Sequence, residues 1–255
     1  MGLTKGKYLA LAACLLLASA GCRKPSGGEG AAVNYTRIDW STAGTVSGTI
    51  HYSGAAPARI RIDMAQDPAC TTGAPNQTEQ YVVNQGGMAN VLVYVKDGLG
   101  NRVYPAPSDA VTVDQKGCRY IPHVTGVMVG QPVRFTNSDA TMHNVHMTPQ
   151  VGSNQAVDIS QGPNGGAEQR VFHSPELMIP VRCNNHPWME AFINVMSNPF
   201  YAVSDTDGHF TIKGLPPGTY TIVADQEKLG EKTATVTVST KQTSTTDFIY
   251  SGTAN

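Results

Sequence analysis

Two short stretches of the chain carry side chains that can donate electron pairs to a metal. Residues 183–189 read Cys-Asn-Asn-His-Pro-Trp-Met, which places a thiolate, an imidazole and a thioether within seven residues. Upstream, residues 130–139 read Gly-Gln-Pro-Val-Arg-Phe-Thr-Asn-Ser-Asp and lead to His-Asn-Val at 143–145. Soft sulfur ligands favour Cu(I), and imidazole binds copper in either oxidation state. The residue types therefore indicate copper chemistry.

The two stretches together resemble the cupredoxins, the blue-copper family that includes plastocyanin and amicyanin, and the loop spacing is most similar to that of amicyanin. The resemblance implies one mononuclear type 1 copper site. Its ligands would be the imidazoles of His143 and His186 and the thiolate of Cys183, with the Met189 thioether as a weak axial ligand. This mixed set suits both Cu(I) and Cu(II), so that little has to move when one electron enters or leaves.

The same resemblance assigns roles to residues around the ligands. Asn144 is expected to hydrogen-bond across to the cysteine loop. Pro187 restricts His186 to an extended backbone and, together with Trp188, would form an apolar patch on which a redox partner docks. The implied function is the transfer of single electrons to or from a redox protein, such as a cytochrome c or a membrane complex.

Other interpretations of these residues remain open. His146 competes with His143 as a ligand; side chains alternate along a strand, so only one of them points inward, and the family pattern favours His143. A Cys-x2-His alone is also compatible with a buried, inert cysteine. Met142, Met147 and Met178 leave copper storage or delivery as an alternative function. A structural or adhesive module with a stabilising metal is the third alternative.

Several other chemistries lack the residues that they need. The sequence has no Cys-x2-Cys pair for a structural zinc site, no second cysteine in the loop for a dinuclear copper centre, and no His-x-His pair for a trinuclear cluster. Neither a Gly-x-Ser-x-Gly elbow nor a Walker-type loop occurs. We therefore expect no enzymatic activity.

The first residues predict export. Two lysines precede the uncharged residues 8–20, a length that fits the apolar part of a signal peptide rather than a spanning helix. The small residues that lead into Cys22 resemble a bacterial lipobox, with Ser19 where a leucine is usual. Acylation of Cys22 would anchor the protein to a membrane in the periplasm or at the cell surface. Plain secretion with a free Cys22 is the alternative.

The remaining cysteines can be assigned in part. Cys14 leaves with the signal peptide. Cys70 and Cys118 lie in polar, loop-like contexts, and in an exported protein they most simply form one disulfide, although two free thiols or a role in metal delivery are alternatives. Cys183 is then left unpaired among the five cysteines.

Composition and pattern predict a β-protein. Charged residues make up 15% of the chain, against about 25% for an ordinary soluble domain. The net charge of -1 offers no basic excess for nucleic acid, which is therefore excluded as a partner. Residues 91–95 are apolar on both faces, as in a central strand, and residues 233–240 alternate between threonine and valine over most of their length. We predict an all-β fold with Greek-key sandwiches.

A second resemblance divides the body of the chain. Residues 201–220 contain an Asp-Gly hairpin turn and a Pro-Pro-Gly connection and resemble carboxypeptidase regulatory-like (transthyretin-like) sandwich domains. Such domains usually open with strands like those near residues 45–54 and 91–95, far upstream. The predicted order is a signal peptide (1–21), a lipidated flexible tether (22–44), the first part of this smaller sandwich (45–109), an inserted cupredoxin domain (110–198) and the second part of the sandwich (199–255). Two domains in series are the alternative.

Overall fold

The structure is a computed structural model that describes residues 1–3, 33–73 and 75–252. The predicted signal peptide beyond residue 3, the predicted acylation site Cys22 and residues 23–32 of the predicted tether lie outside the described residues. Among the residues that are described, no helix is long and apolar enough to cross a membrane. All of the described strands belong to the unit that begins at Asn34.

The described residues form β-strands joined by turns and loops, which confirms the all-β prediction. A short 3-10 helix, Pro68–Thr71, lies between β1 and β2. The strands are β1 Gly44–Ser53, β2 Val83–Asn84, β3 Gly87–Met88, β4 Leu92–Asp97, β5 Val111–Gln115, β6 Tyr120–Ile121, β7 Val124–Met128, β8 Pro132–Asn137, β9 His143–Met147, β10 Val157–Gln161, β11 Glu168–Val171, β12 Glu176–Arg182, β13 Glu190–Met196, β14 Tyr201–Val203, β15 His209–Leu215, β16 Gly218–Gln226, β17 Gly230–Val238, β18 Thr243–Thr245 and β19 Phe248–Ser251.

Strands β1–β4 and β14–β19 form the first sandwich. In one sheet β1 pairs with β15, β3 and the parallel strands β18 and β19, and the order of the other sheet is β14-β4-β16-β17. Phe210 and Ile212 of β15 point between the sheets, as the period of two requires. Strands from both ends of the folded region therefore share the same sheets. Within the predicted tether, Ile38 packs against this core, and the Thr36 N–H donates to the Val103 carbonyl.

Strands β5–β13 form the second sandwich. Its sheets have the orders β10-β9-β12-β13-β7 and β11-β8-β5-β6, with parallel pairing of β7 with β13 and of β5 with β8. In β8 the side chains of Val133, Phe135 and Asn137 face inward and alternate with more exposed ones. Because β9 and β12 are antiparallel neighbours, the loop that follows β12 lies beside the beginning of β9. The topology thus brings residues 183–189 next to His143.

The two sandwiches pack against each other through β13. Ile193 and Val195 belong to the core of the second sandwich, whereas Met196 joins a cluster with Leu92, Tyr94 and Val223 of the first. Both faces of β13 are therefore covered, which accounts for the burial of residues 191–196 and for their mostly apolar sequence. A polar contact also joins the sandwiches: the His123 Nε2–H of the second donates a 2.7 Å hydrogen bond to the buried carboxylate of Glu227, in the turn between β16 and β17.

The chain between β1 and β2 leaves the first sandwich and lies on the second. We call residues 55–80 the capping segment; all but residue 74 are described. Its Met64 and Cys70 are buried in the core cluster of the second sandwich. Cys70 forms a disulfide with Cys118, across a Cα–Cα distance of 5.5 Å. The Asn76 side-chain amide donates to the Gly117 carbonyl at 2.6 Å, so the segment is held at several points.

Candidate metal centre

Three elements of the second sandwich supply the predicted ligands. His143 is the first residue of β9, Cys183 directly follows β12, and Met189 directly precedes β13. His186 lies in the loop between the last two. The structure buries all four side chains: their residues are between 0 and 4% exposed. The sheet order therefore brings one strand end and one loop to a common buried point.

The donor atoms of three residues converge at this point. The Nδ1 atoms of His143 and His186 are 3.0 Å apart, and the Cys183 Sγ lies 3.6 Å from the His186 Nδ1. One ligand atom from each residue lies within 4.8 Å of the others. Two nitrogens bound to one metal at about 2.0–2.1 Å, and at roughly 100° to each other, would also be about 3 Å apart. The donor positions therefore fit a single metal ion.

The outer nitrogens of both imidazoles are bound to carboxylates. The His143 Nε2 is 2.8 Å from the Asp139 Oδ2, and the His186 Nε2 is 3.0 Å from the Asp67 Oδ2. An ionised carboxylate can only accept, so each Nε2 donates, and in the neutral rings each Nδ1 is left as an acceptor. Two such lone pairs facing each other at 3.0 Å repel unless a proton or a metal cation lies between them. The site is thus arranged for a cation.

The charge states of these groups favour metal binding. Burial is the largest influence on the pKa of His143 and lowers it; the hydrogen bond to Asp139 opposes this effect, and the neighbouring His186 lowers the pKa further. Neutral imidazole is the form that binds a metal. The hydrogen bond from Thr141 is the main reason that the pKa of Asp67 lies below its usual range, and the Ala69 N–H and His186 act in the same direction. Asp67 is therefore ionised at neutral pH.

The cysteine sulfur is held from β9 by Asn144. The Asn144 backbone N–H donates to the Cys183 Sγ at 3.3 Å, and its side-chain oxygen accepts from the Asn184 N–H at 3.4 Å. The amide nitrogen of the same side chain donates to Asp158 at 2.6 Å. Asn144 therefore ties β9 to both the cysteine loop and β10.

The loop closes on itself around the donors. The Met189 N–H donates to the His186 carbonyl at 2.9 Å, and the Cys183 N–H donates to the Met189 carbonyl at 3.4 Å. The Met189 side chain is 1% exposed and belongs to the same core cluster as Cys183. Pro187 is exposed, but Trp188 is partly buried: its ring packs on His186, and its Nε1–H donates to the Cys118 carbonyl.

Of the competing residues, His146, Met147 and Met178 lie away from the converging donor atoms, whereas Met142 lies near His186. His146 is partly exposed and its Nδ1 is 3.7 Å from Asp158, on the opposite face of β9 from His143. Met147 is buried in the core of the second sandwich, and Met178 packs where the two sandwiches meet. Met142 is 50% exposed and lies with His186 in the lining of a shallow groove.

Two carboxylates of this site carry no recognisable sequence signal. Asp139 ends the upstream motif, four residues before His143, but that spacing alone does not predict a contact. Asp67 is 119 residues from His186 and belongs to the capping segment rather than to the second sandwich. Its neighbour Cys70 is the nearest indication, because the disulfide with Cys118 brings this segment to the second sandwich.

The chain is similar to proteins of two kinds. The family model of the carboxypeptidase regulatory-like domain matches residues 184–250, which confirms that resemblance. No curated protein matches the chain.

The similar solved structures include cupredoxins and a copper enzyme, all with TM-scores near 0.3. A proline-to-alanine mutant of amicyanin in its oxidized state is 26% identical over 34% of this chain and 82% of that one, with a TM-score of 0.31. The Cu-containing nitrite reductase of Thermus scotoductus SA-01 is 21% identical over 55% of this chain and 28% of that one, with a TM-score of 0.32. The purple cupredoxin of Nitrosopumilus maritimus is 19% identical over 34% of this chain and 99% of that one, with a TM-score of 0.28.

Proposed function

We propose that this protein binds one copper ion and carries single electrons to or from a redox partner. The observation that supports this function is the convergence of the two Nδ1 atoms of His143 and His186 with the Cys183 thiol in a buried site. The Met189 thioether, buried in the same core cluster as Cys183, would be the fourth ligand. Copper held by this set would supply one-electron chemistry between Cu(I) and Cu(II). We propose no catalytic role.

The chain itself would keep the site in one geometry. His143 and Cys183 are held by β9 and by the end of β12, and Asn144 cross-links these two elements. The backbone bonds of Met189 close the loop that carries His186. The low exposure of all four side chains keeps water from the ligands. Because the frame is rigid, little reorganisation accompanies the gain or loss of an electron.

Loading the mature protein with Cu(II) tests this function. We expect an intense blue colour from thiolate-to-copper charge transfer, one copper per chain, and loss of the colour in Cys183→Ser. His146→Ala is the matched control, since it removes a histidine of the same strand on the opposite face and should leave the spectrum unchanged. A colourless wild type, or a Cys183→Ser variant of equal colour, would contradict the proposal.

We propose further that the protein is exported and tethered to a membrane through acylated Cys22. The support is the N-terminal sequence, in which an uncharged run ends in small residues before the cysteine. Mass spectrometry of the mature N-terminus should find a lipid on Cys22, and Cys22→Ala should release the protein from the membrane fraction. An unmodified, soluble wild type would indicate plain secretion instead.

Copper storage or delivery is a second candidate, favoured by the exposure of Met142. Its thioether is a soft copper ligand and lies in the groove that is also lined by His186. Delivery predicts rapid transfer of copper to a chelator or acceptor protein together with slow electron self-exchange. Electron transfer predicts the reverse, so the two rates measured on one sample distinguish the functions.

A further inference from the structure

We propose that Asp67 is a positioning residue of the copper site, by which the capping segment completes a centre whose ligands all come from the second sandwich. The inference rests on the copper function proposed above. It starts from one contact: the Asp67 Oδ2 accepts a 3.0 Å hydrogen bond from the His186 Nε2, on the side of the ring that faces away from the other donors.

The Asp67 carboxylate is held at three points. Its Oδ2 also accepts from the Thr141 hydroxyl at 2.6 Å, and its Oδ1 accepts from the Ala69 N–H at 2.9 Å. Thr141 lies two residues before His143, so one carboxylate oxygen touches the surroundings of both histidines. A side chain with both oxygens engaged has little freedom, and the hydrogen bond to His186 is therefore directional.

The segment that carries Asp67 is fixed as firmly as the side chain. Cys70, three residues further on, is joined to Cys118 of the second sandwich by the disulfide. Met64, three residues earlier, is buried in the core cluster of the second sandwich. Asp67 is thus anchored on both sides, and its contact with His186 is a property of the folded chain rather than of a loose loop.

The contact has two consequences for a metal on the Nδ1 of His186. An acceptor at Nε2 fixes the tautomer and makes the ring a more basic ligand. A negative charge at this distance also favours the more positive oxidation state. Both effects stabilise Cu(II) over Cu(I). The carboxylate also covers the outer edge of His186, which is 3% exposed, so a redox partner would meet the capping segment there and not the imidazole.

If Asp67 had only a structural role, replacing it would have the same effect as replacing a comparable aspartate that does not contact a histidine. Asp63 is such a control. Asp63 lies in the same segment, and its Oδ1 accepts from the Ala65 N–H at 3.0 Å, as Asp67 does from Ala69. Asp63 is exposed and is not hydrogen-bonded to either histidine. Asp63→Asn therefore removes a comparable carboxylate and negative charge from the same segment, but it leaves the contact with His186 in place.

The test compares Asp67→Asn with Asp63→Asn in the full mature protein. With copper bound, Asp67→Asn should raise the Cu(I) to Cu(II) ratio at a fixed potential about tenfold, which is about 59 mV for one electron; Asp63→Asn should leave it unchanged. In the metal-free protein, the ring nitrogen resonances of His186 should change in Asp67→Asn and not in the control. If Asp67→Asn does not fold, Thr141→Val removes only the hydroxyl that holds Asp67 and should shift the potential in the same direction by less.

The outcomes separate the two proposals. A wild type without the charge-transfer colour would overturn the copper function, while the metal-free nitrogen spectra would still decide whether Asp67 fixes the His186 tautomer. A blue wild type whose potential and His186 resonances are the same in both aspartate variants would overturn the positioning role and leave the copper function standing.

Discussion

Each of the two sandwiches consists of two packed sheets, but the side chains buried between the sheets differ in polarity. The core of the first is dominated by apolar and aromatic groups, among them Phe210, Tyr220 and Phe248. The second adds buried polar side chains to its apolar core at the end that holds the candidate metal centre: Gln115, Asn137, His143, Asn144, Gln161 and His186, each at most 4% exposed. A buried polar group destabilises a fold unless it is hydrogen-bonded, so the second sandwich requires a connected network.

That network leads from the core to a candidate ligand. The Gln115 side chain donates to Gln161 at 2.6 Å, and the Asn137 side chain donates to the Gln161 carbonyl at 3.1 Å. The Asn137 oxygen accepts from the Asp139 N–H at 3.0 Å, and Asp139 binds His143. The comparison teaches that both sandwiches contain hydrogen-bonded buried polar groups, such as Ser204 in the first, whereas in the second the network also reaches a candidate metal ligand.

The largest expected effect comes from the apolar cores themselves. Phe135→Ala in the second sandwich and Phe210→Ala in the first should each lower the free energy of unfolding by about 3–5 kcal/mol, because both rings are buried. Only Phe135→Ala should also speed copper loss to a chelator, since the Phe135 ring belongs to the core cluster that contains Cys183 and Met189, whereas Phe210 belongs to the core of the first sandwich. Chemical denaturation and chelator kinetics measure the two effects. Equal copper loss in both variants would refute the distinction.

The contact between the sandwiches should depend on pH. Burial alone lowers the pKa of His123, but the hydrogen bond and charge of Glu227 and the charge of Glu79 outweigh it, so the pKa is raised. The resulting stabilisation is fully present below the unfolded-state pKa of about 6.5 and is lost as pH rises through the raised folded-state pKa.

Glu227→Gln isolates this contribution. The variant should be less stable than the wild type by about 1.5–3 kcal/mol at pH 6, and the difference should shrink as pH rises through the folded-state pKa of His123. Denaturation curves at a series of pH values measure this difference. A gap that stays constant with pH would show that the pair does not stabilise the contact through the charge of His123.

Disrupting the polar network of the second sandwich should reduce the free energy of unfolding less than the core substitutions do, but should weaken copper binding more. Asn137→Ala leaves buried carbonyls without their donor and should lower the free energy of unfolding by about 1–3 kcal/mol. It also frees the loop that carries Asp139, so copper should bind more weakly. Asn198→Ala in the first sandwich, whose side chain caps the Phe200 N–H at 3.0 Å, is the control and should leave copper affinity unchanged. Titration of copper into both variants decides the point.

The smallest effect is expected at surface ion pairs, even next to the site. Arg182 adjoins Cys183 in sequence and pairs with Glu190 at 2.9 Å, but its side chain is 65% exposed. Arg182→Ala should therefore cost about 0.2–1 kcal/mol, the same range as Lys96→Ala at the Lys96–Glu231 pair of the first sandwich. The copper spectrum of Arg182→Ala should equal that of the wild type. A changed spectrum would show that Arg182 influences the copper ligands although its side chain is exposed.

Much of the site could be predicted because its residues are close in sequence or share a strand. The spacing of Cys183, His186 and Met189 needs only one loop, and strand alternation separates His143 from His146. Asp139 shows the limit of such reasoning: it lies four residues from His143, yet its contact depends on the turn that Asn137 holds. Met178 is the opposite case. It is close to Cys183 in the chain, yet it packs where the two sandwiches meet.

By itself, then, the sequence determined the all-β class, the two resemblances and the donor types of one loop, because periodicity and spacing are local properties. The tertiary structure alone decided that the capping segment leaves its own sandwich, that Asp67 meets His186 and that His123 meets Glu227. Those contacts join residues more than a hundred positions apart. They arise from sheet order and from the packing of two cores, and no local pattern in the chain encodes which distant side chains that packing brings together.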